Sequence, residues 1–195
     1  MARQEGYPAR MAMSTPAPGR LETLRAFVNT RDIELGTEAL GTPAELRDWL
    51  AEKSLLERSA AVRPVDLRRA VALREALRAG LAANHAEEPM PPGAVAVINE
   101  TAARARLTLV LTPENGWVAR PSADGVDAAL GALVVTVADA MAGDTWRRLK
   151  VCVNDTCRWA FYDTSRARVG RWCSMQLCGN RAKQQAWRAR HEARD

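Results

Sequence analysis

Four cysteines near the C-terminus are the residues of this sequence whose types and spacing could do chemistry. Cys152 and Cys157 form one C-x4-C pair, and Cys173 and Cys178 form a second pair after fifteen intervening residues. Two close pairs joined by a short insert are typical of a tetrahedral zinc site, in which each pair supplies two thiolates. Disulfide bonds and buried free thiols are the alternatives, and disulfides would require an oxidising compartment.

The N-terminal segment gives no sign of such a compartment. Residues 1–19 are polar and rich in Pro and Ala, without the apolar stretch of a signal peptide, and we expect them to form a disordered tail. No segment is judged long and apolar enough to span a membrane. We therefore expect a cytoplasmic protein with no membrane partner, in which clustered thiols favour a metal ion.

The charge of the chain is unevenly distributed. Residues 145–195 hold 12 of the 28 Lys and Arg residues and 4 of the 23 Asp and Glu residues, so they carry net +8 and residues 1–144 carry net −3. A concentrated positive charge of this kind favours a polyanionic partner, although a solvated basic surface would have the same composition.

Apolar residues at helical spacing predict a helical domain over residues 20–144. Helices are expected over 20–30, from Pro43 with Thr42 as the cap, from Pro64, over 94–105 and over 126–141. The runs 106–111 and 117–119 flank a polar Asn115-Gly116 turn, which predicts a hairpin. The expected fold class is mainly α with small β-hairpins (α+β): a helical N-terminal domain precedes a zinc module over residues 145–195.

The zinc module is predicted to be treble-clef-like. Cys152 to Cys157 would form a knuckle, and a strand over 159–162 would pair with a second strand over 169–172. Ser174 would then cap a helix whose first turn carries Cys178. About fifty residues are too few for a strong independent core, so zinc would supply the missing stability.

The last helix is predicted to present a basic face. At 100° per residue, one side carries Met175, Cys178, Ala182, Ala186 and Ala189 and is expected to face the zinc core. The opposite side carries Asn180, Lys183, Trp187, Arg190 and Arg194, flanked by Arg181, Gln184 and Arg188. Cations and amides on one helix face can contact phosphates and base edges. The predicted nucleic-acid contacts are Arg166, Arg168, Arg171, Asn180, Arg181, Lys183, Arg188 and Arg190.

The segment from Val151 to Arg190 resembles the CGNR zinc finger. The run from Arg171 to Lys183 carries its Trp-Cys and Cys-Gly-Asn-Arg elements, and Cys152, Cys157, Phe161, Asp163 and Ser165 match its upstream part. One departure is that Val169-Gly170 precedes Arg171, where family members often carry consecutive basic residues. The preceding region resembles the ABATE domain at residues 27–30 and 46–56. Together these resemblances imply a bacterial putative stress-induced transcription regulator that binds structural zinc through its four cysteines.

We therefore predict a DNA-binding transcription regulator whose N-terminal domain acts as a sensor or dimerisation unit. The alternative is a protein-interaction or ligand-sensing protein with a purely structural zinc module, and RNA binding is a variant of the first prediction. A homodimer and a small-molecule effector are possible partners, and Asn29 and Arg31 are the candidate effector ligands. No enzyme is expected, because the chain lacks a zinc-deaminase signature, an H-E-x-x-H motif, a phosphate-binding loop and a G-x-S-x-G turn.

Overall fold

A computed structural model describes residues 15–114 and 116–192. The prediction of a disordered tail therefore lies largely outside the described residues, as do Asn115 and Arg194. The helices are α1 (Arg20–Val28), α2 (Pro43–Glu52), α3 (Pro64–Ala86), α4 (Pro92–Arg104), α5 (Gly125–Ala142) and α6 (Asn180–Glu192). The strands form three antiparallel pairs: β1 (Arg31–Asp32) with β2 (Thr37–Glu38), β3 (Leu107–Leu111) with β4 (Trp117–Pro121), and β5 (Leu149–Val151) with β6 (Ala160–Tyr162). The predicted fold class is confirmed.

Local signals place the helix ends close to their predicted positions. The Thr42 hydroxyl accepts a hydrogen bond from the Glu45 amide at 3.2 Å, which satisfies one of the free N–H groups at the start of α2. Pro43 and Pro64 occupy the first turns of α2 and α3, where the missing N–H costs nothing. These signals act over a few residues and are therefore readable from the sequence.

Helix α5 corrects one expectation. By length and composition, Gly125–Ala142 is long and apolar enough to cross a membrane. In the structure it packs against α1, α3 and α4, and Leu130 and Leu133 are each 1% exposed. A helix at the centre of a core is apolar on most of its sides and passes the same test.

The predicted partner of the strand in the zinc module is wrong. Strand β6 pairs with β5, which precedes the first cysteine, so the Cys152–Cys157 knuckle is the connection between the two strands. The segment 169–172 forms no strand, although the Val153 amide donates to the Arg171 carbonyl at 3.1 Å. The final helix carrying the fourth cysteine follows as predicted.

The zinc module shares the core of the helical domain. Leu149, Val151 and Ala160 belong to the same buried cluster as the apolar faces of α1 to α5. Strand β5 lies against α3 and β6 lies against α1. The module therefore gains hydrophobic burial that its own fifty or so residues could not supply.

Two polar side chains of the helical domain hold the knuckle and β6 in place. The Asn29 amide, buried after α1, accepts from the Ala160 N–H at 2.7 Å and donates to the Ala160 carbonyl at 2.9 Å. Arg78 of α3 donates to the Val28 carbonyl at 2.7 Å and to the Arg158 carbonyl at 3.1 Å. These bonds satisfy backbone groups at the end of α1, at the end of the knuckle and in β6.

Replacing Asn29 by alanine is expected to lower the free energy of unfolding by about 3 kcal/mol. The change leaves the buried N–H and carbonyl of Ala160 without their partner, and each orphaned group costs about 1–3 kcal/mol. Urea unfolding of the zinc-loaded chain measures the difference. Asn99→Ala on the exposed surface of α4 is the matched control, and an equal, small effect of both changes would contradict the prediction.

Candidate functional site

The four cysteine side chains meet at one point. Their Sγ atoms all lie within 4.8 Å of one another. The Sγ atom of Cys173 is 3.7 Å from that of Cys157 and 3.8 Å from that of Cys178. A tetrahedron with Zn–S distances of about 2.3 Å has sulfurs about 3.8 Å apart, whereas a disulfide bond is about 2 Å long. The geometry fits a shared ion and excludes disulfide bonds in this arrangement.

The first cysteine pair is shaped by a turn around Asn154. The Asn154 side-chain oxygen accepts from the Thr156 amide at 3.1 Å, and the Asn154 carbonyl accepts from the Cys157 amide at 2.8 Å. Arg158 then adopts a left-handed conformation with φ of 47°. This turn brings both sulfurs of the pair to the same side of the chain.

The second pair is shaped by the start of the last helical segment. The Ser174 hydroxyl accepts from the Leu177 amide at 3.4 Å, so Ser174 caps the segment as predicted. Met175–Gly179 forms a wider π-helical turn before α6, and Cys178 lies in it with 1% exposure. Cys173 therefore lies just before the helical segment and Cys178 within its first turn.

The thiols need a cation to become thiolates together. Burial and the charges of Cys157 and Cys152 together raise the pKa of the Cys178 thiol to about 12. A divalent ion compensates this repulsion, and four cysteine ligands leave it no open coordination position. The donor set therefore fits a zinc ion with a structural role.

A buried ion pair lies beside the metal site. The Asp163 carboxylate accepts from Lys150 Nζ at 3.0 Å, from the Ser165 hydroxyl at 2.6 Å and from the Gly170 amide at 2.7 Å. Burial by itself would raise the pKa of Asp163, but the hydrogen bonds from Ser165, Lys150 and Gly170 outweigh burial and lower the pKa to about 2. This network joins β5, β6 and the loop that leads to Cys173.

Gly170, one of the two residues that depart from the basic sequence of the resembled family, lies against the Asp163 carboxylate. A Cβ atom on Gly170 would lie 2.8 Å from Cγ of Asp163, so a side chain here would displace the carboxylate. The position accommodates the backbone N–H that binds Asp163 and leaves no room for a basic residue.

Helix α6 projects from the metal site with most of its surface in solvent. The prediction that its alanine side faces the zinc core is wrong, because Ala186 and Ala189 are exposed and Ala182 is half-buried. Contact with the metal site ends in the π-helical turn before α6, where Cys178 and Gly179 are buried. A helical wheel assigns a side to the alanines but cannot tell whether any element lies opposite them.

The structure brings three of the predicted contact residues into one groove. The groove runs along α6 and is lined by Lys183, Gln184, Trp187, Arg188 and Arg190. Trp187 is 56% exposed, and its ring lies 4.2 Å from the His191 ring, centroid to centroid. The groove combines cations, an amide and an aromatic ring on one accessible surface.

The other predicted contact residues are placed separately. Arg166 is exposed on the loop after β6, and Asn180 is exposed at the start of α6, where it donates to the Gln176 carbonyl at 3.2 Å. The guanidinium of Arg171 lies 5.6 Å from the Trp172 ring centroid.

Two of the predicted contact residues form ion pairs with carboxylates outside the zinc module. Arg168 pairs with Asp144 at 2.7 Å, and Arg181 pairs with Glu34 in the β1–β2 turn. Sequence reasoning missed both carboxylates, because nothing local in the sequence links them to residues 24 and 147 positions away.

The candidate effector residues lie at the end of α1. Asn29 is buried with both ends of its amide bonded to Ala160, and Arg31 is half-buried and donates to the Gly36 carbonyl at 3.2 Å. An effector role for this pair stays a prediction, and the bonds of Asn29 give it a structural role in joining α1 to β6.

The comparisons with known proteins agree with this geometry. Residues 22–146 match the ABATE family, described as a putative stress-induced transcription regulator, and residues 148–191 match the CGNR zinc finger. No curated protein matches the chain. With the four clustered sulfurs, the zinc-finger match identifies structural zinc as the cofactor. The chain belongs to the ABATE family of putative stress-induced transcription regulators and carries a CGNR zinc finger after the ABATE region.

Proposed function

We propose that this protein regulates transcription by binding DNA through α6, and that zinc holds this helix in its binding position. The observation that carries the proposal is the groove of α6, where Lys183, Arg188 and Arg190 surround Gln184 and Trp187 on an exposed surface. Cations of this kind bind phosphates, and the amide can bind a base edge.

The dimensions of α6 suit the major groove. Its 13 residues correspond to a length of about 20 Å, and the major groove is about 12 Å wide and admits one helix. Because the helix is exposed along most of its length, it can enter a groove without first separating from the helical domain. The four cysteines and the shared core keep its first turn fixed, which reduces the entropy lost on binding.

Ion pairs at the edges of the zinc module reduce the number of predicted contact residues that are available to bind phosphate. Arg168 and Arg181 already have carboxylate partners, so a phosphate must compete for them. Lys183, Arg188 and Arg190 form no ion pair with residues 15–114 or 116–191. We therefore assign the main phosphate contacts to the middle of α6.

Neutralising Lys183 and Arg190 together, as Lys183→Gln with Arg190→Gln, is expected to weaken DNA binding and flatten its salt dependence. Each phosphate contact adds about 0.9 to the slope of log K against log salt concentration, so the slope should fall by about two. Fluorescence anisotropy with a mixed-sequence duplex, at salt concentrations of about 50 to 200 mM, measures the slope for the parent and for the double variant.

The matched control removes two exposed arginines of the helical domain, as Arg58→Gln with Arg68→Gln. It lowers the net charge by the same amount and should leave the slope unchanged. An equal loss in both double variants would show an effect of overall charge and remove α6 from the interface. Failure of the unsubstituted chain to bind duplex at low salt would instead favour a protein partner that docks on Trp187.

A further inference from the structure

The β3–β4 hairpin extends the apolar core outward into solvent. In its antiparallel register Leu109 is opposite Ala119 and Leu111 is opposite Trp117, so these side chains share one face. Leu107, at the base of the same face, packs against the core. Farther out, Leu109 is 72% exposed, Leu111 84% and Trp117 52%. A cluster of large exposed apolar side chains marks an interaction surface.

Charges at the two ends of this hairpin have opposite signs. Arg106 is exposed just before β3, and Glu114 is exposed in the turn after it. Five strand residues at about 3.3 Å each separate the two positions by roughly 20 Å. Among the described residues neither side chain forms an ion pair. The Arg106 side chain donates to the Ser122 carbonyl at 3.0 Å.

We propose that the apolar face of the hairpin (Leu109, Leu111 and Trp117) binds the same face of a second copy of this chain. The two hairpins lie antiparallel about a two-fold axis, so that the Glu114 tip of each copy lies beside the Arg106 base of the other. A two-fold interface uses one self-complementary patch on both subunits, and an apolar face with a basic base and an acidic tip meets this requirement.

The charges select this arrangement over the parallel one. With the tips together, the two Glu114 carboxylates would repel each other, as would the two Arg106 guanidinium groups. In the antiparallel arrangement both contacts become attractive, and like-charge juxtaposition is avoided at each end.

The size of the face predicts a weak dimer. Three partly exposed large side chains at about 100 Å² each offer roughly 300 Å² per copy, against about 800 Å² per partner in a stable interface. We expect a dissociation constant on the order of 10–100 µM, because the small area must also offset the entropy of association. The dimer does not depend on DNA binding, although two copies held together would suit a site with two half-sites.

Sedimentation equilibrium of the zinc-loaded full chain over a wide concentration range tests the dimer. The expected result is reversible dimerisation that Leu111→Lys weakens at least tenfold. Leu35→Lys, at a leucine 53% exposed in the β1–β2 turn, is the matched control and should leave the dissociation constant unchanged. A chain that stays monomeric at several hundred micromolar, or an equal effect of the two lysines, would overturn the proposal.

A charge exchange tests the antiparallel arrangement. Glu114→Arg and Arg106→Glu should each weaken self-association, because each creates two like-charge contacts in its own dimer. An equimolar mixture should form a heterodimer in which both contacts are attractive, and its affinity should return to that of the unsubstituted chain. If neither single variant weakens self-association, or if the mixture associates no better than the separate variants, the antiparallel arrangement is wrong. Neither experiment contains DNA, so its failure is distinct from failure of the proposed function.

Discussion

Replacing Cys157 by serine is expected to unfold the zinc module and to lower the free energy of unfolding by more than about 5 kcal/mol. Structural zinc contributes about 10–16 kcal/mol of apparent binding free energy in small zinc-finger peptides, and this energy depends on all four ligands. Cys157 is fully buried, and its sulfur lies 3.7 Å from that of Cys173, so a substitution there removes one corner of the tetrahedron.

The loss is expected to spread beyond the metal site. Leu149 and Ala160 on the strands that flank the knuckle belong to the core of the helical domain. When the knuckle opens, the Asn29 and Arg78 hydrogen bonds to it lose their acceptors as well. Domains of this size have only about 5–15 kcal/mol of total stability. The variant should therefore unfold at temperatures at which the parent is still fully folded.

Circular dichroism melting and metal analysis measure this effect. The parent should contain one zinc per chain, and chelation should reproduce the unfolding of the variant, with recovery when zinc is restored. Asp155→Ser, at an exposed position of the same knuckle, should change stability by less than about 0.5 kcal/mol. A Cys157→Ser variant that keeps its zinc and its melting temperature would refute a structural role for the site.

The sequence predicted the features of this protein that depend on local chemistry. The Thr42 cap and the four cysteine ligands were recognisable because the relevant residues lie close together in the chain. The β3–β4 hairpin was also predicted, since alternating apolar residues flank a short turn.

The failures concern partners that are distant in sequence. Leu149–Val151 is too short to show a strand period, so the strand that pairs with β6 was sought after it rather than before it. The hydrogen bond between Asn29 and Ala160 joins residues 131 positions apart, and no local sequence pattern predicts it. Alanines and charged residues do lie on opposite sides of α6, but a helical wheel could not show that Ala186 faces solvent and not a core.

Replacing Asp163 by asparagine is expected to lower the free energy of unfolding by about 3–5 kcal/mol. That is the cost of removing one partner of a buried ion pair, because the other charge stays buried without compensation. The side chains of Lys150 and Asp163 are only 5% and 3% exposed. In the parent, the carboxylate accepts hydrogen bonds from the Gly170 amide and from Ser165. Asparagine replaces one carboxylate oxygen by an NH2 group, which would face one of these donors and lose that bond.

The stability difference between this variant and the parent should depend on pH in a defined direction. The pKa of Asp163 is about 2 in the folded chain and 3.8 for an ordinary aspartate, so the folded state favours the ionised form. The contribution of Asp163 is therefore fully present above about pH 4 and is lost as the pH falls toward 2. Acid also releases zinc from the thiolates of both proteins, so the difference is measured only at pH values at which both remain zinc-loaded.

A double variant separates the buried charge from the loss of shape. Lys150→Met combined with Asp163→Asn removes both charges, so neither charge is left buried without its partner. The double variant should therefore recover most of the stability that Asp163→Asn loses, as measured by urea unfolding of the zinc-loaded proteins. If the two substitutions simply add, Lys150 and Asp163 act independently, and the Ser165 and Gly170 hydrogen bonds hold the carboxylate without help from the lysine.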